Sequence, residues 1–237
     1  MKYIQQKSSE PNKGQFYNVY IINPRSNKTL YFIGPYKGKK YYFYFFFLGM
    51  VRRGYRIFYL QPHNDVLSTK HLEWLGKAIL QATEIIQKDR GNKNGQSYLA
   101  GVSLGSYLSL NIILNQRFEK FAGIDGGAPL AQIFRTAYLF RKDREIIKKA
   151  GRQAEISDQW HRFDDAFTSE QLKGVDILLV NSKNDSIVRP KSLAEFVEAL
   201  SKTGANVIND QKGYLPHILK SLSLNFLANK IHKFFRS

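Results

Sequence analysis

Short β-forming runs alternate along this chain with longer segments of helical period, and that alternation restricts the fold more than any other feature. Residues 16–22 (FYNVYII), 30–33 (LYFI), 56–61 (RIFYLQ), 97–102 (SYLAGV), 121–124 (FAGI), 175–180 (VDILLV) and 206–208 (NVI) read as strands. Between them, Leu72, Leu75, Ile79, Ala82 and Ile86 share one helical face, with Gly91 as a stop. Leu193, Phe196, Val197 and Leu200 repeat the pattern after Ser192, an N-cap candidate, and a closing helix is expected over about 218–235. Strand–helix–strand units require crossovers, so the expectation is an α/β chain with a mostly parallel sheet covered on both faces. The nearly unbroken apolar run at 175–180 fits burial on both sides.

Two segments depart from the rhythm. The run 41–51 (YYFYFFFLGMV) is far shorter than the ~20 apolar residues a spanning helix needs, so its aromatics are read as core of the helix after the second strand. The stretch between Asp125 and Val175 is too long for an ordinary connection. Residues 131–150 within it (AQIFRTAYLFRKDREIIKKA) are helical in pattern, with Ile133, Phe134, Ala137, Tyr138 and Ile146 as an apolar stripe among basic residues. The chain therefore divides into a core at 1–130 and 175–237 and a helical cap or lid at 131–174.

Composition narrows the chemistry. There are 237 residues and no cysteine, which excludes disulfides, thiolate metal sites and cysteine nucleophiles. The 36 Lys and Arg against 19 Asp and Glu leave a formal charge of +17, but these cations are scattered from Lys2 to Arg236 without a nucleic-acid motif. A solvated basic surface is the expectation, with peripheral contact to anionic surfaces as a further option and no specific nucleic-acid partner. The first fifteen residues are polar, without the apolar stretch of a secretory signal, so a cytoplasmic location is expected. No His, Asp and Glu cluster has metal-ligand spacing and no phosphate-binding glycine loop occurs, so neither metal nor cofactor is expected.

Chemistry concentrates at Gly101-Val102-Ser103-Leu104-Gly105, a G-x-S-x-G pentapeptide between the strand at 97–102 and a helical pattern at 106–114. A serine on such a sharp strand-to-helix turn presents its hydroxyl above the sheet, and the following amide, that of Leu104, faces a bound carbonyl oxygen. The turn leaves no room for side chains at the flanking glycines. A serine hydroxyl needs a base, and the base an orienting carboxylate, in the order Ser, acid, His after later strands. Asp185 in NSKNDSIVRP follows the strand at 175–180, and His217 in KGYLPH precedes the last helix. Asp125, after the strand that follows the pentapeptide, is an alternative acid. His63 in QPHND reads as loop structure, and His71, His161 and His232 as packing or surface residues.

With these residues in place, the chain resembles the α/β-hydrolase family from about Phe16 to the C-terminus. GVSLG looks like the family's nucleophile elbow, NSKNDSIVRP its acid loop, GYLPH its histidine loop, and RRGYRIFYLQPHND the strand and turn before the elbow. The resemblance implies Ser103 as nucleophile, His217 as general acid and base, and Asp185 as orienting acid. It also implies a second oxyanion donor after an early strand, where this chain has Ile33-Gly34-Pro35-Tyr36-Lys37-Gly38 without the usual histidine. Proline has no N–H, so Tyr36 is the candidate beside Leu104. The expected activity is hydrolysis of carboxylic esters of a small-molecule or lipid acyl substrate. Peptidase, thioesterase and acyltransferase chemistry use the same triad. A binding protein for a polyanion or acidic lipid that kept the fold without catalysis is the alternative from another class.

Overall fold

The structure, a computed structural model, describes residues 4–5, 15–38, 40–68, 70–92, 95–126, 129–185, 187–211 and 224–237. Within them the chain forms an eight-stranded sheet of order β1-β2-β4-β3-β5-β6-β7-β8. Two antiparallel strands, β1 (Ile4–Gln5) and β2 (Tyr17–Ile22), form one edge, where β2 lies against β4 (Tyr55–Pro62). From β4 onward the sheet is parallel, through β3 (Lys28–Ile33), β5 (Gln96–Val102), β6 (Lys120–Ile124), β7 (Asp176–Asn181) and β8 (Asn206–Gln211).

The period-2 alternation of each strand supplies both faces with apolar residues. On β3, Leu30 and Phe32 point to one side, while Tyr31 and Ile33 point to the other. The first side is covered by α1 (Tyr44–Val51) and α8 (Leu224–Arg236), and Phe32 packs there within 5.1–5.3 Å of the rings of Phe43, Phe46 and Phe47. The aromatic run is thus core only in part: Phe43, Phe46 and Phe47 are buried, whereas Tyr42, Tyr44 and Phe45 are exposed, Phe45 at 62%. The second side is covered by α2 (Trp74–Gly91), α3 (Leu104–Asn115) and α7 (Pro190–Lys202). No helix of the described residues is long and apolar enough to cross a membrane.

Connections decide where a site can form. The chain leaves β3 through α1 to β4 on one side, then returns through α2 to β5 on the other side of β3. The strand order reverses between β3 and β5, and open α/β sheets bind ligands outside the carboxyl ends of the strands at such a point. A buried ion pair fixes the opposite end. Arg56, 2% exposed, donates to both Asp89 oxygens at 2.6 and 2.7 Å, and Tyr31 Oη donates to the same carboxylate at 2.8 Å.

Several local expectations are corrected. The helix expected across 131–150 is broken into α4 (Leu130–Thr136), a 3-10 turn at Tyr138–Phe140 and α5 (Arg141–Lys149). Ala137 at the break is extended, with φ −73° and ψ 135°. The Arg144 guanidinium donates to the carbonyls of Phe134 at 2.8 Å and Ala137 at 2.6 Å, and Ala137 O also accepts from Phe140 N at 3.2 Å, so the two sides of the break are tied together. A further helix, α6 (Gln153–Asp164), follows before β7. Ser192 is not the N-cap of α7: Pro190 occupies the first turn after an extended Arg189, because proline's fixed φ suits that position. Gly91 is the last residue of α2 and not the residue beyond it. Of the closing helix, residues 218–223 lie outside the described residues.

Candidate active site

Strand register aligns the candidate residues before any side chain is considered. Leu60, Ile33, Gly101, Gly123, Leu179 and Asn209 form one row across β4, β3, β5, β6, β7 and β8. The loops that follow carry His63, Tyr36, Ser103, Asp125 and Asp185 at one edge of the sheet. His217 follows β8 in the chain and lies outside the described residues.

Ser103 stands at the junction of β5 and α3 with φ 54° and ψ −119°. That left-handed conformation costs a non-glycine residue about 1–3 kcal/mol and persists only where the surroundings hold it. The surroundings here are tight. A Cβ on Gly101 would lie 2.3 Å from the Gly105 carbonyl oxygen, and one on Gly105 would lie 2.1 Å from that of Ile33. Ser106, fully buried, donates from Oγ to Gly101 O at 2.7 Å and accepts from Ile124 N at 3.1 Å, so the turn is tied to β6 as well. Ser103 N donates to Ile124 O at 2.8 Å.

A small cavity of about 40 Å³ opens beside Ser103, bounded by Tyr36, Leu104, Tyr107, Asp125, Leu130 and Phe140 among others. Leu104 N begins α3 and has no acceptor among the described residues, as expected for a first-turn amide. In the loop after β3, Gly34 N donates to Leu60 O and Gly38 N to Pro35 O, and Pro35 has no N–H. Tyr36 and Lys37 are left with backbone donors that no described group accepts. Tyr36 therefore lines the same cavity as Ser103 and retains the N–H that an oxyanion donor requires.

Asp185, 3% exposed, lies in the loop after β7, and its Oδ1 accepts from the backbone amides of Ile187 at 2.8 Å and Val188 at 2.9 Å. Ile187 and Val188 in turn line the cavity. Asp125 is fully buried at φ 47° and borders the cavity directly, so two acids stand within reach of this edge. Burial lowers the pKa of His63, and its Nε2 has no partner among the described residues. His71 stacks on Trp74, His161 lies beside Asp164 and His232 against Tyr55, and none of the three lines the cavity. Among the described residues no three His, Asp or Glu side chains converge to hold a metal ion.

One part of the site gives no signal in the sequence. Tyr107, on the helix that Ser103 starts, donates to Asp164 Oδ1 at 2.9 Å, and Leu130 N donates to the same oxygen at 2.9 Å. This buried carboxylate thus ties the elbow helix α3 to the start of α4 and the end of α6. Burial raises the pKa of Asp164, and burial together with the neighbouring carboxylate raises that of Tyr107. The partners are 57 and 34 residues apart in the chain, so no local pattern announces them.

No protein-family model matches the chain, and a comparison with curated proteins finds none similar to it. Solved structures do resemble it. An acylaminoacyl peptidase from Pyrococcus horikoshii superposes with a TM-score of 0.72 at 17% identity, covering 99% of this chain and 41% of the peptidase, so the chain spans well under half of that protein's length. A carboxyl esterase 2 from the fungus Tuber melanosporum gives 0.61 at 16% identity, over 93% of this chain and 82% of the other. Alpha/beta hydrolase domain-containing protein 10 from mouse gives 0.65 at 13% identity and covers 100% and 99% of the two chains. The parallel sheet, its helical layers and these superpositions together show that the chain has the α/β-hydrolase fold.

Proposed function

We propose that the protein is a serine hydrolase that cleaves carboxylic esters or related acyl compounds through an acyl-enzyme on Ser103. The observation that carries this reading is the strained turn of Ser103, held between two glycines without room for a Cβ, beside a cavity bordered by Leu104 and Tyr36. Strain of this kind needs a compensating use, and exposing one hydroxyl to a bound carbonyl is such a use. The similar structures include an esterase and a peptidase, classes of enzyme that transfer an acyl group to water.

In this mechanism Ser103 Oγ attacks the carbonyl carbon while His217 takes its proton. The amides of Leu104 and Tyr36 hold the resulting oxyanion. His217 then protonates the leaving alcohol as the ester bond breaks, leaving the acyl group on Ser103. Water, deprotonated by His217, attacks that ester, and His217 returns the proton to Ser103 Oγ as the acyl bond breaks and the acid leaves. Asp185 orients His217 and stabilises its charged form, for which its two backbone donors hold the carboxylate in place. Residues 131–174 act as the lid of the acyl pocket, in which Ile133 and Phe140 wall the cavity.

Turnover of short-chain p-nitrophenyl esters tests this assignment. Ser103→Ala and His217→Ala each lower kcat by about 10³-fold or more with the fold retained, and Asp185→Asn lowers it by about 10²–10⁴-fold. Should Asp125→Asn abolish turnover while Asp185→Asn leaves it intact, Asp125 is the acid. Full activity in Ser103→Ala overturns the mechanism.

A further inference from the structure

We infer that the protein carries a second ligand site on the outer face of α4, a cavity shaped for an aliphatic chain with an anionic head group. The inference is independent of the chemistry proposed for Ser103. Helical geometry separates the two sites. Leu130 and Ile133 on one face of α4 border the cavity at Ser103, whereas Ala131, Phe134 and Arg135 on the other border a larger space between α4, α5 and α6. That outer cavity holds about 440 Å³, within the ~300–1,000 Å³ usual for small-molecule sites.

Its chemistry is divided in two. The floor is apolar, built from Ala131, Phe134, Ile147 and Ile156, each only 3–6% exposed as a residue, with the Trp160 ring packed edge-on behind Phe134 at 4.9 Å. The rim is cationic, with Arg135, Arg141, Arg144 and Lys148 against the single carboxylate of Glu145. Two of those cations are committed. Arg141 pairs with Glu145 at 3.8 Å, and Arg144 caps the carbonyls of Phe134 and Ala137. Arg144 keeps its charge, because carbonyls are neutral, and Arg135 and Lys148 have no carboxylate partner among the described residues. The rim thus offers three unneutralised cations above an apolar hollow, of which Arg135 and Lys148 are also free of the carbonyl contacts. A neutral hydrocarbon would leave them unused, and a small inorganic anion would leave the hollow unfilled. A carboxylate or phosphate head on a single acyl chain fits both, whether free in solution or part of a lipid surface.

Titration calorimetry with monomeric dodecanoate, with Trp160 fluorescence in a Trp74→Phe background as a second readout, tests the site on the full chain. The expected result is saturable one-to-one binding. Arg135→Ala combined with Lys148→Ala weakens it about tenfold or more, while Ser103→Ala leaves it unchanged. Dodecyltrimethylammonium is expected to bind at least tenfold more weakly. Absent binding, equal binding of the cationic analogue, or unchanged affinity in the double variant overturns the proposal. Flotation with phosphatidylglycerol vesicles separates the sources. Flotation that dodecanoate competes away identifies a lipid head and chain entering this cavity. Flotation without any dodecanoate binding means a bilayer surface contact elsewhere and overturns it.

Discussion

Ser103 stores strain that its neighbours hold in place, and this has a measurable consequence. At φ 54° and ψ −119° the backbone favours glycine, so removing the side chain relieves about 1–3 kcal/mol of steric cost. Against this stands the extra entropy of glycine in the unfolded chain, about 0.5–1 kcal/mol. Ser103→Gly is therefore expected to unfold in denaturant at about 1 kcal/mol higher stability than Ser103→Ala, with both variants inactive. A Ser103→Gly variant less stable than Ser103→Ala by the glycine entropy alone, about 0.5–1 kcal/mol, would show that the turn is not strained. The residue scale is also where the sequence was most legible. G-x-S-x-G specifies small residues because backbone atoms lie 2.1–2.3 Å from the places where Cβ atoms would stand, a constraint local to five residues. Ser106 was invisible because its value lies in reaching Gly101 and Ile124 across two strands, and a serine in a helix carries no mark of that.

Among the elements, α4 is the piece on which the account turns, since it borders both cavities and is tied to α3 through Asp164. The free space beside Ser103 is only about 40 Å³, so short acyl chains should be preferred. Ile133→Ala removes part of one wall and is expected to move the optimum of kcat/KM along an acetate-to-octanoate ester series towards longer chains. An unchanged chain-length profile would mean that α4 does not bound the acyl pocket. Asp164 gives a pH signature. Its pKa is raised by burial in the native state, so the native protein binds a proton more tightly than the unfolded chain. The stabilisation is complete below the ordinary carboxylate range and is lost as pH rises through the raised native value. Asp164→Asn keeps an acceptor for Tyr107 and Leu130 without a charge to bury. Its melting temperature relative to the parent should therefore rise between pH 4 and pH 7, and parallel profiles would contradict the account. The break at Ala137 escaped sequence reading because the apolar stripe of 131–150 continues through it. Arg144, folding back onto two carbonyls from the following helix, bridges the interruption.

At the scale of the whole molecule, one row of strand register gathers residues far apart in the chain, as Ile33 and Leu179 show, with Gly101 between them. The alternation of strand and helix was enough to foresee a parallel sheet, because a crossover in either direction needs a covering helix. Strand order was not legible. That β4 lies outside β3, creating the reversal beside β5, depends on which faces α1 and α2 cover, and both are apolar enough for either. The most direct test of the central claim is treatment of the folded protein with a fluorophosphonate, followed by peptide mapping of the adduct. The expected result is a single adduct on Ser103, lost in Ser103→Ala and strongly slowed in His217→Ala. A folded protein that stays unlabelled at Ser103, with detergent present to open any lid, would contradict it.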